Sequence, residues 1–414
     1  MELVVFEDDG WNLFSPLNTL KHTSLLRWGM KPLLDLLAGS VAGGGKAELW
    51  GRAELREVTT ATLGTPYNQE HDSEMLLVNS RTRPGKFLSN LASKRTPFVA
   101  IAGESMVAAR VKLSKIGPGV VTRQIVAKIS KQAPKIEAPA DVLFQGYWNL
   151  VESNGLSIAG QAYHFADTLV LPSTAKLRGP PSNLRIHGSV EVEDYVSFDT
   201  RLGPIVVAEE ASIESFTRVS GPCYIGPKTE VLTSLIRGGT SIFEGCKIGG
   251  EVENSVIMPH TNKSHFGYLG DSYLGEWVNV GAGSTTSNLK NTYGNVRSLV
   301  AGKTVDTGMV KLGAAVGDMS KFSVGSQLSA GKKVGTGSHV TGVAVEDIPP
   351  FTYFDGNGKK MVELLLDSVL ETQRRMKERR GLTLSRAEEE LIGFAFRVSA
   401  SERKRAGVKR GRLH

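Results

Sequence analysis

The middle of the chain has a hydrophobic pattern with a period of six residues, which fits neither an α-helix nor a simple alternating strand. The apolar positions at this spacing are Val190, Val196 and Leu202; Ile213, Val219, Ile225 and Val231; Ile236, Ile242 and Ile248; Leu274 and Val280; and Val310, Val316, Phe322, Leu328, Val334 and Val340. A small residue often follows the apolar one, as in Ile225-Gly226 and Val334-Gly335. This pattern predicts a solenoid of short parallel strands, in which one apolar side chain per side points inwards and small residues turn the corners.

The first 180 residues show alternating patterns for strands and helices, which predict an α/β domain. The expected elements are the strands Leu3–Phe6, Ala47–Trp50, Met75–Val78 and Phe98–Ile101 and an amphipathic helix over Leu25–Leu37. The segment Lys176–Asn183 contains Gly179-Pro180-Pro181 and is expected to be a linker to the solenoid.

Beyond Pro350 the pattern becomes helical. A helix is expected over Met361–Arg380, and a second one is expected to begin at Ser385, where Glu388 completes a capping box. Residues 399–414 are basic and poor in apolar side chains, so we expect them to be disordered. The predicted organisation is an α/β domain at 1–180, a parallel β-helix at 184–348, a helical segment at 349–398 and a disordered tail at 399–414.

Composition narrows the picture further. With 2 cysteines in 414 residues, the chain has no disulfide scaffold, which indicates a reducing, cytoplasmic setting. No apolar run reaches the ~18–20 residues of a membrane span, and the N-terminus has no basic region of a signal peptide. The net charge of +7 suggests a nucleic-acid partner, but seven basic residues and one acid fall within 397–414. The rest of the chain is nearly neutral, which disfavours a nucleic-acid partner.

Two interruptions of the repeat, between Val256 and Leu274 and between Gly283 and Val310, are expected to project loops, where functional residues concentrate. The residues that carry recognisable chemistry around them are His265, Tyr268, Gly270 and Asp271, then Asn279 and Gly281-Ala282-Gly283, then Asn288. This ordered set resembles the acetyltransferase domain of the bifunctional glucosamine-1-phosphate acetyltransferase / N-acetylglucosamine-1-phosphate uridylyltransferase family. The resemblance is specific between Gly221 and Arg297, and a branch with a divergent nucleotidyltransferase-like N-domain resembles most of the chain.

The resemblance implies a left-handed β-helix, a homotrimer, and N-acetylation of an amino-sugar-1-phosphate by acetyl-CoA. It assigns His265 as the base that removes the ammonium proton, a task suited to imidazole. Asp271 is a weaker candidate for orienting a catalytic group. The expected sugar contacts are Tyr268, Asn279 and Asn288. Arg237 is expected to bind the sugar phosphate.

The same resemblance places the pantetheine arm of the cofactor at Gly281, Ala282 and Gly283, whose backbone N–H groups are candidates for stabilising the thioester oxyanion. One departure is Ser255, which stands where the family has a lysine. Lys263 is a candidate to replace that lysine as a substrate contact. The acceptor sugar therefore stays open.

The N-domain departs from the family more strongly. The glycine-rich loop that cradles nucleotide phosphates is absent after the first strand. Asp8 and Asp9 are candidate Mg²⁺ ligands only if this domain transfers a nucleotide from UTP or another triphosphate. A domain that binds a sugar nucleotide without turnover, or that serves as a scaffold, is the alternative.

A second enzyme class also has to be weighed. His260 and His265 resemble the zinc-ligand pair of carbonic anhydrases built on a β-helix, but the third histidine is missing at the expected distance upstream. This alternative predicts zinc in the purified protein.

Overall fold

The computed structural model describes residues 3–41, 47–112, 116–165, 171–300 and 302–411. The N-terminal part contains β1 (Leu3–Phe6), β2 (Arg27–Trp28), β3 (Lys31–Pro32), β4 (Glu48–Trp50), β5 (Glu74–Asn79), β6 (Phe98–Ala102), β7 (Ser105–Lys112) and β8 (Lys135–Glu137). Its helices are α1 (Leu33–Gly39), α2 (Arg56–Leu63), α3 (Lys86–Ser93), α4 (Arg123–Ile129), α5 (Tyr147–Glu152) and α6 (Asn154–Gln161). Six strands form one mixed sheet in the order β4-β1-β5-β7-β6-β8, with the apolar strand β1 buried along its whole length. The predicted α/β class of this domain is confirmed.

The helix predicted over Leu25–Leu37 is wrong in its first half. The hairpin of β2 and β3 occupies that part, and α1 begins only at Leu33, directly after Pro32. Gly29 turns the hairpin at φ +70°, and a Cβ there would meet the side chains of Gln161 and Ser157. A tight turn against α6 therefore overrides the helical periodicity.

The remaining strands form a solenoid. They are β9 (Lys176–Arg178), β10 (Leu184–Ile186), β11 (Glu191–Val192), β12 (Ser197–Asp199), β13 (Ile205–Val207), β14 (Ser212–Ile213), β15 (Arg218–Ser220), β16 (Cys223–Ile225), β17 (Glu230–Ile236), β18 (Thr240–Ile242), β19 (Lys247–Glu253), β20 (Val256–Ile257), β21 (Asn262–Lys263), β22 (Tyr268–Gly270), β23 (Tyr273–Leu274), β24 (Asn279–Val280), β25 (Thr285–Thr286), β26 (Arg297–Val300), β27 (Lys303–Asp306), β28 (Ala315–Val316), β29 (Lys321–Phe322), β30 (Gln327–Leu328), β31 (Lys333–Val334), β32 (His339–Thr341), β33 (Val343–Ala344), β34 (Thr352–Asp355) and β35 (Lys360–Glu363).

The coils stack in parallel register, which confirms the predicted parallel β-helix. Face 1 is the ladder β10-β13-β16-β18-β20-β23-β28-β31. Face 2 runs through β11, β14, the first halves of β17 and β19, then β21, β24, β29, β32 and β34. Face 3 contains β9, β12, β15, the second halves of β17 and β19, and β22, followed by the separate ladder β25-β30-β33.

The six-residue period identifies the interior of the solenoid, since all but two of its residues lie in or against one apolar core. The exceptions are Leu202, which is 88% exposed, and Val310, which is 44% exposed. Leu202 falls in the turn after β12, and Ile205 takes the interior position instead. Val310 lies where the chain returns from the hairpin of β26 and β27.

The first predicted interruption is not a projecting loop. Strands β20 to β23 continue the three ladders, and Ile257, Lys263, Leu269 and Leu274 take successive interior positions. A lysine stands where the pattern calls for an aliphatic residue, and this substitution hid the repeat. The second interruption does leave the coil, as the antiparallel hairpin of β26 and β27.

The ends of the solenoid also differ from expectation. The predicted linker Lys176–Asn183 contains β9, which pairs with β12 and starts face 3. At the other end, β34 continues face 2, and the antiparallel β35 occupies the start of the segment predicted to be helical.

Three helices follow the solenoid: α7 (Leu366–Glu378), α8 (Arg386–Val398) and α9 (Ala400–Arg405). The predicted capping box of Ser385 and Glu388 at the start of α8 is confirmed. The predicted disorder of 399–414 is wrong for its described part. Arg403 is buried, pairs with Glu363 at 2.7 Å and lies over the Phe396 ring. Arg412 lies outside the described residues.

The α/β domain packs against face 1 through a shared apolar cluster that includes Phe144 and Tyr147 from the domain and Phe243 and Tyr273 from the solenoid. Arg27 forms a bidentate ion pair with Glu244 of the solenoid, at 2.7 and 2.6 Å. A buried apolar interface reinforced by charge-assisted hydrogen bonds fixes the domain relative to the coils.

Candidate functional site

His265 lies at the corner between face 2 and face 3, where the chain passes from β21 to β22, and its side chain is exposed. Within the described residues its imidazole makes no hydrogen bond, so neither ring nitrogen is committed to a protein partner. The exposed Phe266 next to it lies over Gly283, since a Cβ on Gly283 would stand 3.3 Å from the phenyl ring. An imidazole in this setting is free to accept a proton from a bound molecule.

A network of hydrogen bonds fixes Tyr268 close to this corner. Its hydroxyl donates to Glu253 Oε2 at 3.1 Å and accepts from Asn288 Nδ2 at 2.9 Å. Asn288 Nδ2 also donates to Asp271 Oδ2 at 2.6 Å, and Asn254 Nδ2 donates to Asp271 Oδ1 at 2.7 Å. Burial, together with the nearby carboxylates of Glu253 and Asp271, raises the pKa of Tyr268. The hydroxyl therefore stays protonated, and Asp271 positions Tyr268 through Asn288.

Gly270 makes room for this network. A Cβ at Gly270 would lie 2.1 Å from the Tyr268 hydroxyl and 2.4 Å from its Cζ, so any side chain there would displace the ring. Asp271 follows with a φ of +48°, a left-handed conformation that directs its carboxylate to the two asparagines. The matched sequence Tyr-Leu-Gly-Asp is thus a single geometric unit.

An open groove of about 770 Å³ runs along face 3 towards this network. Arg237 lines it together with Glu253, and the Arg237 side chain is 47% exposed. Its Nε donates to Glu251 Oε1 at 2.8 Å, while its Nη atoms have no partner in the described part of the chain. Arg201 and Arg218, by contrast, both pair with Asp199. Arg237 is therefore the arginine of this groove whose two Nη atoms are both left unpaired by the described residues, and it lines the groove next to Glu253 of the tyrosine network.

The predicted substrate role of Lys263 is wrong. Its side chain points into the solenoid, and its ammonium donates to the carbonyl oxygens of Gly249, His265 and Gly267 at 2.7, 3.1 and 2.9 Å. Burial lowers the pKa of Lys263 to about 8. Ser255 is also buried, between Glu253 and Ser272. Neither residue can reach a sugar phosphate.

Asn279 lies on a different surface from Tyr268. It projects from face 2 into a cleft of about 450 Å³ between the solenoid and the C-terminal end of α7. The cleft is lined by Lys247, His260, Asn262, Trp277, Asn279, Lys321, Met376, Arg379 and Arg380. The structure therefore brings together Tyr268 and Asn288, with Arg237 in the groove next to Glu253. His265 lies at the corner three residues before Tyr268, and Asn279 projects from face 2.

The expected oxyanion donors are largely committed to the coil. The Gly281 N–H donates to the Phe322 carbonyl at 3.0 Å, and the Gly283 N–H donates to the Phe266 carbonyl at 2.9 Å. The Ala282 carbonyl accepts from the Gly325 N–H at 2.8 Å. The predicted oxyanion role does not fit the Gly281 and Gly283 amides, because each already has an acceptor, whereas for the Ala282 N–H it stays a prediction. A surface for the pantetheine arm at these residues stays a prediction.

The acidic residues at the end of β1 form ion pairs with arginines. Asp8 accepts from Arg81 Nε at 2.9 Å and Arg81 Nη2 at 2.5 Å, and also from Asn79 Nδ2 and the Gly10 N–H. Glu7 pairs in the same way with Arg52. The expected Mg²⁺ role of Asp8 does not fit, because a guanidinium occupies both oxygens of its carboxylate. Asp9 instead accepts from the Arg123 N–H at 3.2 Å.

The zinc alternative finds no support in the described residues, which contain no group of three or more His, Cys, Asp or Glu side chains able to hold a metal ion. His260 is stacked on Trp277, with ring centroids 4.4 Å apart. It therefore forms part of the wall of the face 2 cleft.

Sequence reasoning missed Glu253 and Asn254, which complete the tyrosine network, and the cations of the cleft. Lys247 and Lys321 had a recognisable pattern, because each precedes an interior residue of the six-residue period. Residues at that position project outwards and stack along face 2. Arg379 and Arg380 had no such pattern, since only the folded helix brings them to the cleft.

Part of the chain is similar in sequence to known bifunctional proteins. The chain is 32% identical over 151 residues to the bifunctional protein GlmU of Rippkaea orientalis, covering 34% of this chain and 29% of that protein. It is 36% identical over 134 residues to a bifunctional sugar-1-phosphate nucleotidylyltransferase/acetyltransferase of Sulfurisphaera tokodaii, covering 30% and 31%. The chain thus spans about three tenths of the length of these relatives. The resemblance stated from the motif residues is confirmed, and no family model matches the chain.

Solved structures give weaker matches. A UDP-N-acetylglucosamine acyltransferase from Francisella novicida covers 56% of this chain and 93% of its own, with 12% identity and a TM-score of 0.25. A perosamine N-acetyltransferase variant from Caulobacter crescentus covers 78% and 98%, with 14% identity and a TM-score of 0.15. At these TM-scores the structures carry no argument about activity. Among the described helices, none is long and apolar enough to cross a membrane.

Proposed function

We propose that this chain transfers an acetyl group from acetyl-CoA to the amine of an amino-sugar-1-phosphate, with glucosamine-1-phosphate as the expected acceptor. One observation carries the proposal. His265 is exposed at a solenoid corner three residues before a fixed Tyr268, in a chain with a relative named as a bifunctional sugar-1-phosphate nucleotidylyltransferase/acetyltransferase. Its free imidazole is suited to proton removal, while the partly buried polar network is suited to holding a sugar.

In this reaction the amine nitrogen attacks the thioester carbonyl carbon, a C–N bond forms and the C–S bond breaks. His265 takes the proton that the ammonium nitrogen loses, and the departing CoA sulfur ends as a thiol by taking up a proton. Proton transfer by a positioned side chain contributes about 10²–10⁴-fold to such rates.

Binding of the acceptor is assigned to the face 3 groove. Tyr268 and Asn288 are rigid because their hydrogen bonds run to Glu253 and Asp271, so they can contact sugar hydroxyls without a large ordering cost. The Nη atoms of Arg237 are available to a phosphate oxygen, and a planar guanidinium suits that group.

The test is a thiol-release assay with acetyl-CoA and a set of amino-sugar-1-phosphates. We expect His265→Ala to lower kcat by about 10²–10⁴-fold while leaving the thermal unfolding midpoint unchanged, because the side chain is exposed. His187→Ala, at an exposed histidine on an earlier coil, is the matched control. Unchanged turnover in His265→Ala would refute the base assignment, and binding without turnover in the wild type would favour a sugar-binding protein.

Nucleotidyl transfer is not assigned to this chain, although the name of the Sulfurisphaera tokodaii relative includes it. The carboxylates after β1 are neutralised by Arg81 and Arg52, and a triphosphate with its metal would have to displace both arginines. Pyrophosphate release from UTP and N-acetylglucosamine-1-phosphate measures this activity directly, and a turnover comparable with acetyl transfer would overturn the assignment.

We also propose that the chain forms a homotrimer and that it works in the cytoplasm. Cys223 and Cys246 are free and buried, and burial raises the pKa of each thiol to about 12. Thiols of this kind are stable in a reducing compartment. Molar mass by light scattering tests the trimer.

A further inference from the structure

A column of polar side chains, fixed by the register of the coils, runs along face 2 and through the cleft. Lys247, Asn262, Asn279, Lys321 and His339 lie on successive paired strands, each directly beside the next. With neighbouring strands ~4.8 Å apart, the column is about 19 Å long. Such a row can contact an extended ligand at several points.

The cleft carries uncompensated positive charge. Lys247 is neutralised by Glu230 at 2.6 Å, but Lys321, Arg379 and Arg380 have no carboxylate partner within the described residues. No acid is among the described residues that line the cleft. Arg379 is the C-cap residue of α7, and Arg380 follows it directly before Gly381, which has a φ of +67°.

The ammonium of Lys321 lies in an environment that disfavours its positive charge. Burial lowers the pKa of its ammonium to about 8, and only the Met319 carbonyl, at 2.7 Å, accepts from it. Beside it, burial and the Lys321 charge lower the pKa of His339 to about 4. A bound anion would relieve the repulsion among these groups, because it supplies the missing opposite charge.

We propose that the face 2 cleft binds a phosphate group of a substrate, held by Lys321, Arg379 and Arg380 with the Asn262 and Asn279 amides beside them. The inference deepens the proposed acetyl transfer and rests on it for the identity of the ligand. Asn262 is three residues before His265, a reach of about 10 Å at most, so a ligand in the cleft can extend to the proposed base. The shared chemistry is a phosphate ester, carried either by the nucleotide end of CoA or by the amino-sugar-1-phosphate.

The test is calorimetric titration of the full chain at one fixed ionic strength, since charge contacts are screened by salt. The probes are CoA, adenosine 3′,5′-bisphosphate and glucosamine-1-phosphate. The Arg379→Ala/Arg380→Ala variant is compared with Arg375→Ala/Arg386→Ala, which loses the same charge from exposed arginines of α7 and α8 outside the cleft. Lys321→Met is a second variant that keeps the length of the buried stem.

We expect the cleft variants to bind one class of probe about 10- to 100-fold more weakly than the wild type, and the control pair to change affinity less than threefold. Loss of binding of the bisphosphate assigns the cleft to CoA and leaves the acceptor phosphate with Arg237. Loss of glucosamine-1-phosphate binding assigns the cleft to the acceptor phosphate, in place of Arg237. Equal affinities in the cleft and control variants for every probe would overturn the inference.

The thiol-release assay separates this outcome from failure of the proposed function. Wild-type turnover together with cleft variants that keep both KM values rejects the phosphate site and leaves the proposed function intact. Phosphate binding that depends on the cleft arginines, without any acetyl transfer by the wild type, rejects the proposed function and leaves the site.

Discussion

The end of β1 and the corner at His265 both gather acids and arginines, but they use them in opposite ways. After β1, Arg81 and Arg52 are buried and every strong donor they aim at Asp8 and Glu7 is consumed within the domain. At the corner, Arg237 and His265 stay accessible and present donors or lone pairs to solvent. A closed cluster holds the fold, whereas an open one is available to a ligand.

Whether the charged groups are paired or accessible distinguishes the two clusters better than their residue types do. The acids after β1 stand where the resemblance places nucleotide chemistry, yet the arginines make them part of the core. The polar groups on face 3 belong to a fold that needs no charge there, because the coils are held by apolar side chains and backbone hydrogen bonds.

The sharpest way to break the comparison is to remove one arginine from each cluster. Arg81→Ala leaves the Asp8 carboxylate buried without its partner, so we expect a loss of about 3–5 kcal/mol in the free energy of unfolding. Arg237→Ala removes an exposed pair and should cost less than about 1 kcal/mol. Urea unfolding of the two variants measures both values.

The KM values of the same two variants are expected to change in the opposite order from their stabilities. Arg237→Ala is expected to raise KM for the sugar phosphate about tenfold, while folded Arg81→Ala should keep the wild-type KM. A stable Arg81→Ala variant, or an Arg237→Ala variant that unfolds first, would reverse the roles assigned to the two clusters.

The pH dependence of stability comes next in size. Burial alone would raise the pKa of Glu7, but Arg52, His22 and hydrogen bonds outweigh it and hold the pKa at about 2, below the ordinary 4.5. Because the folded pKa is depressed, this stabilisation is complete above about pH 4.5 and is lost as the pH falls towards 2. It amounts to about 3 kcal/mol.

Urea unfolding of wild type and Glu7→Gln between pH 6 and pH 3 measures that contribution. The wild type should lose stability more steeply than Glu7→Gln on acidification. Glu251→Gln, which removes the exposed partner of Arg237, is expected to keep the wild-type slope. Equal slopes for wild type and Glu7→Gln would show that the buried pair has no special role.

The smallest expected effect is at Gly270. Gly270→Ala should push the Tyr268 ring away from Asn288 and Glu253, costing about one hydrogen bond, or roughly fivefold in kcat/KM. Gly160→Ala, where a Cβ meets nothing within 4 Å, is the matched control. Wild-type kinetics in Gly270→Ala would mean that the position of Tyr268 does not matter for turnover.

The interior of the solenoid was predictable, because coil stacking forces an apolar side chain to recur at each strand. Val190 to Ile248 and Val316 to Val340 follow that rule almost without exception. Leu202 and Val310 break it where the chain adds residues between strands, and a period alone cannot distinguish such a turn from a coil.

Most residues of the site were predictable from the sequence, but the hydrogen bonds that join them were not. Tyr268, Asp271 and Asn288 were recognisable from the motif, but Glu253 and Asn254 come from the preceding coil, where no local pattern marks them. Asn279 follows the same motif closely in sequence and still projects from another face. Six residues turn the chain through a corner, so nearness in sequence is a poor guide to which surface a side chain shares.

Lys263 has a consequence for how the coils find their partners during folding. A stack of similar rungs is prone to pairing one rung out of step, since aliphatic side chains fit equally well above any neighbour. The Lys263 ammonium needs the carbonyl oxygens of Gly249, His265 and Gly267, and a slipped pairing would bury it without them. The interior charge of Lys263 thus favours a single strand register, in the same coil that carries His265.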